Sequence, residues 1–105
     1  MTARYWRGWT TPQNAGAYQR LLTDKVLPGL KQLEGYRGGY VLRNVTPAEV
    51  EFVVINFFES IEAVKRFAGP DYNVPVFEPE ARALLFRVEA VAIHYEVCAA
   101  TVQAP

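Results

Sequence analysis

The chain has little of what most catalytic and targeting signals require. Its 105 residues include one cysteine, Cys98, and one histidine, His94. A single cysteine excludes an internal disulfide, and a single histidine excludes a His-rich metal site. Eleven basic residues balance eleven acidic ones. No basic run stands out, which argues against nucleic acid or an anionic membrane as the main partner. No stretch approaches the roughly 20 apolar residues needed to span a bilayer. Residues Met1 to Arg7 lack the apolar core of a secretory signal, so a cytoplasmic protein is expected. There is no glycine-rich phosphate loop, no Ser/His/Asp order, no Cys/His cluster and no internal repeat. Asp71, Glu78 and Glu80 are close in sequence but irregularly spaced, so no metal site is expected from them.

What the chain does have is a strongly apolar stretch from Glu51 to Ser60. Read as a strand, it places Phe52, Val54, Asn56 and Phe58 on one face and Val53, Ile55 and Phe57 on the other. Both faces are apolar, the mark of a central strand covered on both sides. A single domain of this length offers two main helices, which cover one side of a sheet. The other side then needs a partner, and a second copy of the chain is the expected one.

The remaining elements follow from local signals. Ala3 to Thr10 is a strand with Tyr5, Arg7 and Trp9 on one face and Arg4, Trp6 and Gly8 on the other. Thr10-Thr11-Pro12 starts a helix, a capping hydroxyl followed by proline in the first turn. Ala15, Tyr18, Leu22 and Val26 recur at helical spacing. Pro28-Gly29 is expected to kink or end that helix, with one more turn to Leu33 and closure at Glu34-Gly35. Tyr36 to Val45 is a second strand in which Gly38-Gly39 suggests a bulge or a close approach. Thr46 to Glu49 is a turn leading into the apolar strand. Ser60 caps a second helix, stopped by Gly69-Pro70. Asp71 to Glu78 reads as an irregular arm, Pro79 begins a short helix, and Phe86 to Val97 is the last strand. The order strand, helix, strand, strand, helix, strand predicts an α+β, ferredoxin-like split βαβ domain over residues 1–97. Its four-stranded antiparallel sheet has strands one and three central. Residues 98–105 are expected to be a frayed tail.

Several of these residues also carry a likeness. Leu33-Glu34-Gly35-Tyr36 with Gly38-Gly39, the strand ending Phe57-Phe58-Glu59-Ser60, and the closing Ile93-His94-Tyr95-Glu96-Val97 resemble the antibiotic-biosynthesis-monooxygenase-like family. The resemblance spans Arg4 to Val97 and is specific for fold rather than reaction. It implies a dimeric α+β barrel, a homodimer through sheet faces, with a ligand cavity between sheet and helices in each subunit. Some members of that family oxygenate polycyclic aromatic molecules without metal or flavin, and others bind and open haem. The haem-opening members end the third strand in Trp-Glu-Ser, carry a histidine on the second helix and an asparagine on the first strand. Here Phe58 occupies the tryptophan position, Ile61 to Ala68 has no histidine and Tyr5 to Thr10 has no asparagine. The resemblance thus points away from haem and toward chemistry without a cofactor.

Two residues are candidate catalytic groups. Asn56 lies mid-strand, where an unpaired buried amide costs on the order of 1–3 kcal/mol. On the cavity side it could donate to a phenolate or a peroxide-like intermediate; otherwise a neighbouring strand or a tyrosine satisfies it. His94 could serve as a general base, or be hydrogen-bonded at an interface near the end of its strand. Trp6, Tyr40, Phe58 and Tyr72 are candidate walls of an aromatic pocket, and Arg43 could offset an anionic ligand. The function expected is cofactor-independent oxygenation of a small aromatic molecule, with a non-enzymatic dimeric ligand-binding protein as the alternative.

Overall fold

The structure, a computed structural model, describes residues 1–101; the last four residues of the expected tail lie outside the described residues. Strand β1 (Thr2–Thr10) leads into a helical run of α1 (Pro12–Leu21), a π-helical turn (Leu22–Val26) and α2 (Leu27–Leu30). Strands β2 (Tyr36–Val45) and β3 (Val50–Phe58) form a hairpin, followed by α3 (Ile61–Ala68), the irregular arm and α4 (Pro79–Leu84). Strands β4 (Leu85–Val88) and β5 (Ile93–Glu96) come last. Every pairing is antiparallel, in the order β2-β3-β1, with β4 and β5 both on the remaining edge of β1. This is the ferredoxin-like α+β arrangement, with β1 and β3 central as the element order predicts.

The helix starts are capped by the expected hydroxyls. Thr11 Oγ1 accepts from Asn14 N–H at 3.2 Å and Ser60 Oγ from Ala63 N–H at 3.2 Å. Pro28, however, does not end the first helix. It has no N–H to offer the preceding turn. The chain widens there instead, with Leu27 N–H donating to Leu22 O, and the proline falls in the first turn of α2.

The expected last strand is broken in two. β4 pairs with Gly8–Thr10 and β5 with Thr2–Tyr5. The connecting residues are held by bonds that no local periodicity signals. Glu89 O accepts from Trp6 Nε1 at 2.8 Å, and Ala92 N–H donates to Asn73 O of the arm at 2.8 Å.

The faces of β2 also differ from the simple alternation. The register shifts between Tyr36 and Gly38, and Gly38 has φ +111°, a conformation that favours glycine. The extra residue resets which side each later side chain takes. Tyr36 stands opposite Phe58 on the helix-covered face, whereas Tyr40 and Leu42 stand opposite Ile55 and Val53 on the other. Val41, on the opposite side of the strand from Tyr40 and Leu42, stands opposite Val54 and packs into the core.

On β3 the two faces are those read from the alternation. Val50, Phe52, Asn56 and Phe58 are buried under the helices, while Val53, Ile55 and Phe57 are only half-buried. The helix-side core has two clusters. Tyr18 and Leu22 of the first helical run pack on Trp6 and Phe52 of the sheet, and Ala63 and Val64 of α3 pack on Phe58. Between them runs a rung of Gly39, Asn56, Arg4 and His94, standing opposite one another across four strands.

Candidate functional site

A cavity of about 270 Å³ opens above that rung. Its walls are Trp6 and Val54 from the sheet, Tyr18, Leu22, Val26 and Leu30 from the helical run, Phe67 from α3, and Pro75 to Phe77 of the arm. Apolar walls with a few polar groups suit a small, largely hydrophobic ligand. Trp6 presents its ring, because its N–H is engaged by Glu89 O and its edge meets Phe77 at 5.1 Å between centroids. Burial pushes the Tyr18 phenol up to about 12, so this hydroxyl stays neutral.

Asn56 lies on the cavity floor and is 7% exposed. Its Oδ1 accepts from Tyr36 Oη at 2.8 Å, which fixes the amide plane and leaves the NH₂ end without an acceptor among the described residues. The tyrosine that could satisfy this amide is therefore present, and it occupies the acceptor half only. The contact depends on Gly39. A Cβ there would collide with Asn56 Oδ1, Ile55 O and Tyr36 Oη. The glycine pair in β2 thus has two separate jobs, a bulge at Gly38 and a close approach at Gly39.

Arg4, beside Asn56 in the rung, also lines the cavity and is 6% exposed. No carboxylate pairs with it among the described residues. Nη1 donates to Tyr72 O and lies 3.0 Å from His94 Nε2, and Nη2 donates to Val74 O at 3.1 Å. Burial holds its pKa below the usual guanidinium value. Arg4 is not legible as a site residue in the sequence, where its one signal is a place on the same strand face as Trp6 and Gly8.

His94 sits behind Arg4, with Tyr72 edge-on to its ring at 5.1 Å between centroids. Because Arg4 donates to Nε2, the imidazole proton belongs on Nδ1, which is buried without a partner. Burial and then the Arg4 charge hold its pKa below the ordinary histidine value. The ring is neutral at pH 7, and the histidine lies outside the cavity wall.

The other candidates are dispersed. Tyr40 is 58% exposed on the face away from the cavity, its ring near Phe57; the β2 register shift put it there. Phe58 is fully buried beneath α3, stacked on Phe67. Tyr72 contributes its carbonyl to Arg4 and sets its ring against His94 and Lys65. Arg43 bonds Gln19 at 2.8 Å beside a separate, smaller depression. At the rim of the main cavity, Lys25 pairs with Glu80 and lies 3.7 Å from Glu78, latching the arm to the helical run. No group of acidic, histidine or cysteine side chains among the described residues could hold a metal ion. No described helix is long and apolar enough to cross a membrane.

No family model matches the chain and no curated protein matches it. Solved structures do. A candidate antibiotic biosynthesis monooxygenase from Deinococcus radiodurans superposes with TM-score 0.69 at 13% identity over all of both chains. One from Bacillus cereus gives 0.67 at 16% identity, over all of this chain and 98% of that one. The haem degrader MhuD of Mycobacterium tuberculosis, with two haems bound in its active site, gives 0.61 at 18% identity over 97% and 100% of the chains. These identities speak to architecture. The chain therefore has the ferredoxin-like α+β fold shared by antibiotic-biosynthesis-monooxygenase-like proteins.

Proposed function

We propose that this protein is a homodimeric, cofactor-independent monooxygenase that takes a flat, electron-rich aromatic molecule into the cavity above the polar rung. The observation that carries the reading is the Asn56 amide. Its acceptor end is held by Tyr36, and its two N–H groups remain for a ligand oxygen. A phenolate there gains charge-assisted hydrogen bonds in a site lined by apolar groups. The substrate supplies all four electrons. The phenolate adds dioxygen at a hydrogen-bearing ring carbon para to its oxygen to give a hydroperoxide. Loss of water then leaves one oxygen atom as a new carbonyl, and that ring hydrogen and the phenol proton end in the water. In this reading the base is His94, the one histidine of the sequence, accepting at Nε2 once its bond to Arg4 opens. Two architectural neighbours described as candidate monooxygenases support the same reading.

A second reading has one observation in its favour. The only histidine already has its Nε2 engaged, which suits a dimeric protein that binds the same aromatic molecule without turning it over. Oxygen uptake by chelator-treated protein with a panel of phenols and hydroquinones separates the two. The enzyme reading expects uptake above the protein-free rate for at least one of them. Saturable binding with no added uptake selects the binding protein.

Haem is expected to fare differently here than in MhuD. Helix α3 offers no histidine, and Phe58 is sealed beneath it. Titrating haem into the protein with a reductant present should leave the Soret band intact. Tight stoichiometric binding followed by loss of the band would overturn this.

A further inference from the structure

We infer that Arg4 is an anion subsite, so that the cavity takes an aromatic molecule carrying a carboxylate in preference to its neutral counterpart. The inference rests on reading the cavity as a site for an aromatic ligand, and is independent of whether that ligand is oxygenated. A guanidinium withdrawn from water is ordinarily matched by a carboxylate. Arg4 is 94% withdrawn, since 6% of it is exposed, and its partners are two backbone carbonyls and a neutral imidazole. Hydrogen bonds to neutral groups orient the charge without cancelling it. The chain has acidic residues to spare, yet those nearest the cavity, Glu78 and Glu80, are turned to Lys25.

The donor count points the same way. A guanidinium carries five N–H groups. The three contacts named above leave one on Nε and one on Nη2 without an acceptor among the described residues. Two such donors are what a carboxylate takes in a two-pronged pair. Asn56, opposite Arg4 in the register, adds its unused NH₂. The cation and the amide form the polar floor of a chamber whose walls are mostly apolar below the Lys25–Glu78 rim, and the Phe67 ring lies 5.7 Å from the guanidinium carbon. A flat ring with an acidic substituent meets both requirements.

The test uses two probes of matched size, 2-naphthoate and 2-naphthalenemethanol, titrated into the full chain at pH 7, where the acid is ionised. Calorimetry should show naphthoate binding at least tenfold more tightly than the alcohol. Arg4→Gln should abolish that preference by weakening naphthoate alone, and Arg4→Lys, which keeps the charge but loses the fork, should restore part of it. Equal binding of the two probes by the unaltered protein overturns the inference while leaving the aromatic cavity standing, and needs no variant to fold. A preference undiminished in Arg4→Gln overturns it as well, because the charge recognised would lie elsewhere. Failure of both probes to bind overturns the cavity reading and this inference with it.

Discussion

Ile55→Asp is expected to destroy the assembled protein: the variant should aggregate or unfold where the parent sediments at twice the chain mass. Ile55 stands opposite Tyr40 on one side and Tyr5 on the other. It is the centre of a face with no described helix over it. Tyr5 is itself opposite Ile93, and the adjoining rungs place Phe57, Ala3 and Tyr95 together, and Leu42 beside Val53. Tyr40, Leu42, Ile93 and Tyr95 are all between 45% and 58% exposed in the single chain. A contiguous apolar face of this kind is rare on a monomer. In the proposed homodimer a second copy covers it with the same patch, since a two-fold interface is self-complementary. Obligate interfaces of this type commonly bury about 2,000 Å² or more. A carboxylate at the centre would be desolvated without a cation beside it, costing several kcal/mol. A well-folded parent protein sedimenting as a monomer at micromolar concentration would contradict the dimer.

The other large effect is expected at Asn56. Asn56→Leu should keep the dimer and lower turnover roughly 10²–10³-fold, the range for losing one preorganised oxyanion donor. Leucine fills similar space but presents nothing to a ligand oxygen. The change also leaves Tyr36 Oη without its acceptor, adding about 1–3 kcal/mol of destabilisation. Tyr36→Phe separates the two consequences. It frees the amide to rotate but keeps its donors, so a smaller loss of about tenfold is expected, with KM moving more than in Asn56→Leu. Oxygen uptake at saturating and limiting substrate reads both. Unchanged rates in Asn56→Leu would move the reacting centre elsewhere in the cavity.

Much of this architecture is legible in the residues. Two apolar faces on Glu51 to Ser60 mark a central strand, and Thr11, Ser60 and Gly69-Pro70 bound helices through chemistry that acts over a few residues. What escapes is whatever depends on a distant part of the chain. Arg4 looks like one more charge in an alternating strand, and only the fold shows that no carboxylate among the described residues comes to meet it. The bulge at Gly38 can be suspected from the glycine pair. Its consequence for Tyr40 and Val41 requires the register against β3. The break between β4 and β5 is held by Trp6 and Asn73, 83 residues before Glu89 in the one case. Pro28 is a strong breaker locally, but a widened turn is enough to absorb it. Asn56 was visible because an amide amid Ile55 and Phe57 demands a partner in any fold. Its tyrosine could be anticipated as a type of partner, and its free donors could not.

The proposed oxygenation is tested most directly by a turnover with isotopically labelled dioxygen, using chelator-treated protein and whichever phenol supports oxygen uptake. One labelled atom is expected in the new carbonyl of the product and the other in water, at a rate that collapses in Asn56→Leu. Product oxygen drawn from solvent, or ligand bound in the cavity and recovered unchanged while dioxygen is not consumed, would contradict it.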